Sequence, residues 1–182
     1  GGHKMYRKIL QFWFSDIKPS QWWVKDNDFD QLIIDNYAAL HASIHQCELY
    51  HWRETPQGRL AEIIVLDQFS RNMYRDQPQS FASDPLALAL SQEAIIAKAD
   101  QELSPTEKSF LYMPFMHSES AAIHKVAVAL YEANGIESNY QFELKHKEII
   151  DRFGRYPHRK KILGRTSTAA ELEFLSGPGS SF

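Results

Sequence analysis

Apolar residues recur along this chain at intervals of three and four, and strict alternation is scarce, so the pattern is helical nearly throughout. Tyr6 to Phe14 reads as a short helix rich in aromatics, followed by a connector from Ser15 to Asn27. Asp28 starts a long helix with Phe29, Leu32, Ile33, Tyr37, Leu40 and Ile44 on one face, ending near Tyr50. Thr55 before Pro56 is an N-cap with Pro at the first helical position, and that helix runs to about Arg75. Ser83-Asp84-Pro85 repeats the signal for a helix to about Ala99. Ser104-Pro105 repeats it again, with Glu107 completing a capping box. Pro114 breaks the pattern, Ser118 restarts it, and Asn134-Gly135 stops it. Ser138 opens a helix ending near Phe153-Gly154. Pro157 to Leu163 and Thr168 to Leu175 read as two short final helices, ahead of a tail rich in Gly and Ser. The expectation is an all-α fold of seven to nine helices in antiparallel hairpins.

Composition agrees with one ordinary globular unit. Apolar residues make up 43% and charged residues 24%, which excludes a disordered or fibrous chain. Residues 4–182 are expected to form a single domain, and Gly1-Gly2-His3 reads as a cloning remnant. Cys47 is the single cysteine, so no internal disulfide can form, and its place in an amphipathic run predicts packing. No run approaches the roughly 20 apolar residues of a membrane span. A cytoplasmic protein without a membrane partner is the expectation. Helices opened by Ser/Thr-(Asp)-Pro hint at repeated hairpins, but the tetratricopeptide spacing of Trp, Leu-Gly and Tyr is absent.

Polar residues interrupt the buried faces at three places. In the third helix, Leu60, Ile63 and Ile64 set the apolar face. Helical spacing then carries Asp67, Gln68, Arg71, Asn72 and Arg75 onto it or its shoulder. Asp67 and Arg71 stand at ion-pair spacing, and Arg71 and Arg75 at a spacing that could share an anion. A buried arginine needs a carboxylate, a carbonyl or a ligand. A network tying helices together satisfies that requirement as well as a ligand pocket does.

The second place is Tyr112-Met-Pro-Phe-Met-His117-Ser118-Glu119. His117 precedes a helix start, where backbone N–H groups favour anions. Glu119 suits a first helical turn by capping, or joins His117 in general acid-base work. The third place holds His146, Arg152, Arg155, His158 and Arg159 around a Gly-and-Pro turn. His146 follows Phe142 by four on an apolar face, which suits a core histidine or a ligand.

Charge sharpens the third place. Between Lys145 and Arg165 stand eight Lys/Arg and two acids, a balance of +6. The rest of the chain carries 12 basic and 21 acidic residues, or −9, for a net charge of −3. Arginines beside a tight turn suit a fixed anion site or an internal ion-pair network. One short basic block with no stacking platform argues against nucleic acid as a partner.

Other chemistries find little footing. Glu143-x-x-His146 and Glu48-x-x-His51 have di-iron spacing, but the required glutamates on two other helices are missing in order. His41-x-x-x-His45 lacks a third zinc ligand. There is no Gly-rich phosphate loop, no Gly-x-Ser-x-Gly elbow and no cysteine nucleophile paired with a base. No metal or cofactor is expected. The cluster of Phe12, Trp13, Phe14, Trp22 and Trp23 suits packing between the first helices.

Five runs, Ile9-Leu10-Gln11-Phe12-Trp13-Phe14, Leu66 to Arg75, Phe110 to Glu119, Arg152 to Arg159 and Pro178-Gly179-Ser180-Ser181-Phe182, carry a resemblance. In these motifs the chain resembles the bacterial domain-of-unknown-function family 924 over essentially its whole length. The resemblance implies an all-helical, tetratricopeptide-like stack and brings no established activity. Ser70 departs from the proline that typical members carry there.

The leading expectation is a small anionic ligand, bearing phosphate or carboxylate, in a polar pocket. Asp67, Gln68, Arg71, Asn72, Arg75, Tyr112, Arg152, Arg155, His158 and Arg159 are the candidate binding residues. His117, Glu119 and His146 are the candidate acid-base groups, with catalysis itself left open. The alternative is a tetratricopeptide-like module binding a protein or peptide, often through its terminal carboxylate. A purely structural network is the third reading. Oligomeric state has no signature in the sequence.

Overall fold

The structure is a computed structural model that describes residues 5–182. Gly1-Gly2-His3, read as a cloning remnant, lie outside the described residues. Among the described residues the chain is helical with no strand.

The first helix, α1 (Met5–Gln11), runs on into a π turn (Phe12–Asp16), and a 3-10 turn (Pro19–Trp22) leads to α2 (Asn27–His45). Asp26 caps α2, its carboxylate accepting from the N–H groups of Asp28 and Phe29. Helix α2 therefore starts just before Asp28. It ends at His45, short of the expected Tyr50, and Cys47 lies in the following turn with φ 62°. Cys47 is half-buried beyond the helix rather than packed inside it.

The central rod is α3 (Pro56–Ile64), a π turn (Val65–Phe69) and α4 (Ser70–Met73). Thr55 caps it as expected, its hydroxyl accepting from the Gly58 N–H. Leu60, Ala61, Ile63, Ile64, Val65 and Leu66 are all fully buried, so this helix is covered on every side. It packs against α1, α6 (Asp84–Ile96) and α7 (Pro105–Leu111), while α4 packs on α2 and on the short α5 (Gln79–Ala82). The aromatics of the first segment join this core. Trp13 is fully buried against Phe69 and Phe110, and Trp22 donates its indole N–H to the Trp13 carbonyl.

The second half begins with α8 (Met113–Met116), which takes Pro114 into its first turn. Then come the antiparallel pair α9 (Ala121–Asn134) and α10 (Glu137–Phe153), with α11 (Lys160–Leu163) and α12 (Ala169–Leu175) closing the chain. Two starts differ from expectation. Ser120, not Ser118, caps α9, and α10 begins at Glu137 without a side-chain cap. Gly135 and Gly154 end these helices at φ 79° and 71°, the left-handed region that favours glycine. The capping boxes at Ser104 and Thr168 are both formed.

No helix among the described residues is long and apolar enough to cross a membrane.

Candidate functional site

The π turn decides where the polar residues of the central rod go. Its wider turn shifts the helical register, so that Val65 to Phe69 are all buried and the following residues point in two directions. Asp67 faces His117 and Arg71 faces Asp84, with Gln68 bonded to Asp67. Asn72 and Arg75 face α2, where Asn72 donates to Asp30 at 2.9 Å and Arg75 to the same carboxylate at 2.7 and 3.0 Å. Arg71 and Arg75 therefore hold separate carboxylates, contrary to the shared-anion expectation.

Asp67 is the centre of the first group. One of its oxygens lies 2.7 Å from His117 Nδ1 and 3.4 Å from Arg71, and the other accepts from Gln68 at 2.7 Å. Burial works against its charge. The His117 ring, the Arg71 guanidinium and the donated hydrogen bonds outweigh burial and hold the carboxyl below its ordinary range. Arg71 also donates twice to Asp84, at 2.9 and 3.0 Å. Burial opposes this guanidinium too, and Asp84 and Asp67 more than compensate.

Asp84 and Phe81 line a cleft of about 440 Å³. Pro114, His117, Ser118 and Glu119 also line it, together with Arg159, Leu163 and Arg165 from the basic block. Glu119 is not a cap. It accepts from the Tyr156 N–H at 2.7 Å and pairs with Arg165 through two contacts. Its carboxyl is shifted down, because those donors and Arg159 overcome the effect of burial.

Arg159 is the least satisfied group in the cleft wall. It is 5% exposed, and its guanidinium sits over the Phe81 and Tyr156 rings at 4.4 and 4.8 Å. It donates to the His117 carbonyl at 3.0 Å, but its Nε is buried with no partner among the described residues. The neighbouring carboxylates of Glu119 and Asp84 stand off at 3.8 and 4.0 Å. Burial and the nearby Arg71 push its pKa down, which marks an under-compensated cation.

Several sequence candidates lie elsewhere. Tyr112 donates to Asp100 inside the core. Arg155 pairs with Glu171 at 2.7 and 2.8 Å and donates to the Thr166 carbonyl, pinning α12. Arg152 stacks over Phe153 and Phe174. His146 contacts the Phe142 carbonyl through Nδ1 at 2.7 Å. Its ring and that of His158 flank Phe182 at 4.0 and 4.5 Å. Beneath these, His124 and Glu143 form a fully buried pair at 2.7 Å, so the Glu143 of the di-iron spacing is occupied by a histidine of the adjacent helix.

Of the sequence candidates, His117, Glu119 and Arg159 line the cleft, while Asp67 and Arg71 stand behind it, bonded to His117 and Asp84, and Gln68 is bonded to Asp67. The cleft adds three residues that sequence reasoning did not single out. Asp84 was visible only as part of a helix start, Arg165 only as one charge in the basic block, and Phe81 carried no signal.

A family model described as "Bacterial protein of unknown function (DUF924)" matches residues 9–179. A solved structure of a protein of unknown function from Agrobacterium tumefaciens is 34% identical and superposes with a TM-score of 0.93. The match covers 97% of this chain and 100% of that one. No curated protein matches.

Proposed function

The chain belongs to the DUF924 family, bacterial proteins of unknown function, and we propose that it binds a small carboxylate- or phosphate-bearing molecule in the cleft beside Arg159.

The observation that carries this reading is the buried Arg159 guanidinium with an unpartnered Nε. A guanidinium presents five donors in a fixed fork, and a planar anion accepts from two of them at once. An orphaned buried donor costs about 1–3 kcal/mol, more when it is charged. The nearest carboxylates also stand off at 3.8 and 4.0 Å, and an anion entering the cleft supplies the missing counter-charge.

The rest of the cleft narrows the ligand. Phe81, Pro85, Leu88, Pro114 and Leu163 supply an apolar wall, which fits a molecule with a compact apolar body. Asp84 and Glu119 share the wall and disfavour high negative charge, so a monoanion fits better than a polyphosphate. The volume is of small-molecule size. It lends little support to the alternative of a tetratricopeptide-like groove for extended peptides.

Calorimetric titration with benzoate and inorganic phosphate, on the wild type and on Arg159→Leu, tests the reading. Saturable binding of either anion by the wild type, lost in a folded Arg159→Leu, is the expected result. Equal binding by both proteins, or none by the wild type, overturns it.

A further inference from the structure

His117 and Asp67 come from segments 50 residues apart and meet at 2.7 Å beside the cleft. Their arrangement fixes a tautomer. Asp67 is held ionised, and a carboxylate can only accept a hydrogen bond. The proton between them therefore sits on His117 Nδ1, which leaves a lone pair on Nε2. That second nitrogen has no hydrogen-bond partner among the described residues, and His117 lines the cleft. The neutral form of the ring is favoured. Burial first, and then Arg71, lower its pKa against the pull of Asp67.

A histidine oriented by a buried carboxylate, with its other nitrogen open to a cavity, is the arrangement of a general base. We propose that His117 is a catalytic base, oriented by Asp67, acting on the carboxylate-bearing molecule that Arg159 anchors. The proposal rests on the anion-binding reading of the same cleft.

The step balances without a further reactant. Nε2 takes a proton from a C–H bond next to a carbonyl of the bound molecule. The C–H electron pair becomes the C=C bond of an enolate as the carbonyl π pair moves onto its oxygen. Arg159 stands next to this chemistry, because its guanidinium donates to the His117 carbonyl at 3.0 Å and faces the same cleft. Its charge stabilises the developing oxyanion, and the imidazolium then returns the proton to a different atom of the enolate, which completes an isomerisation. Arg71 and Asp84 hold the Asp67 side of the pair, since Arg71 donates to both carboxylates and so keeps Asp67 from protonating. Asp67 is a positioning residue in this scheme, for it touches only the imidazole, Gln68 and Arg71.

The test reads the imidazole directly. Long-range proton–nitrogen correlation on ¹⁵N-histidine-labelled full-length protein at pH 7.5 should show His117 neutral, with Nδ1 protonated and Nε2 bare. Loss of the signal in His117→Gln assigns it. In Asp67→Asn the side-chain amide can donate to Nδ1, and the tautomer should reverse. Diethyl pyrocarbonate, which acylates a bare imidazole nitrogen, should modify His117 about tenfold or more faster in the wild type than in Asp67→Asn. Benzoate should protect it. An imidazolium, a protonated Nε2 or an unreactive His117 in the wild type overturns the proposal, whatever the variant's stability. If benzoate binds while His117 proves inert, the base fails and the anion site stands. If His117 reacts as expected but benzoate neither binds nor protects, the anion site fails, and with it the substrate class assigned to the base.

Discussion

Glu119 and Arg165 lie 46 residues apart and meet through two parallel N–H···O contacts of 2.6 and 2.7 Å. The same carboxylate accepts from the Tyr156 backbone, so Glu119 clamps the chain after α10 at two points.

Removing either end of this clamp loosens the chain after α10. Arg165→Ala should cost about 1–2 kcal/mol and Glu119→Ala about 2–4, because the second also strands the Tyr156 N–H and weakens the field around Arg159. Chemical denaturation gives the order. Hydrogen exchange should accelerate in residues 155–175 of both variants, and little in α3. Equal losses from the two substitutions contradict the double role of Glu119.

Asp30 governs a separate network. It accepts from Asn72 and Arg75 together, so Asp30→Ala leaves two donors without their acceptor. A loss of about 2–4 kcal/mol is expected. Anion affinity should be unchanged in Arg75→Ala, because Arg75 faces α2 and not the cleft. A weakened titration in Arg75→Ala shows instead that the two networks are coupled.

Gly58 sits in the first turn of α3 with no room for a side chain. A Cβ there falls well inside contact with the Trp52 carbonyl. The obstacle is backbone, which cannot swing away as a flexible side chain can. Gly58→Ala should cost about 3 kcal/mol or more despite the better helix propensity of alanine. A melting temperature equal to that of the wild type excludes this close approach.

Buried histidines make the fold sensitive to mild acid. Burial lowers His41 to about 4, and His146 and His158 to about 3. Each is less basic folded than unfolded, where the ordinary value is about 6.5. The unfolded chain then binds more protons between those values, so stability is full above about pH 6.5 and falls as the pH drops toward 4. The slope is at most about 1.4 kcal/mol per pH unit for each group. Melting curves from pH 7.5 to 5 should show the fall, and His146→Gln should flatten it. A flat profile, or one that rises toward acid, contradicts the burial of these rings.

Much of the architecture was legible because its causes are local. Thr55, Ser104 and Thr168 cap their helices through hydrogen bonds to residues three positions on, and Gly135 and Gly154 end theirs through their own φ. Such contacts are written in adjacent letters. Asp67–Arg71 was legible for the same reason, as a spacing of four within one helix. Ser118 misled because two serines compete for one cap, and in the folded chain Ser118 accepts from the Ser120 N–H while Ser120 caps α9.

By itself, the sequence determined an all-helical chain, most of its helix boundaries and the three segments where polar groups interrupt buried faces. Tertiary structure alone decided their partners. The π turn at Val65–Phe69 sends Arg71 to Asp84 and Arg75 to Asp30, although both arginines stand on one helical run. His117 reaches Asp67, Glu119 reaches Arg165, and Arg159 is left buried with a donor unmet. Side-chain reach is short while these residues are far apart in the chain, so their meeting depends on how helices pack. Periodicity says which face is buried, but not against what.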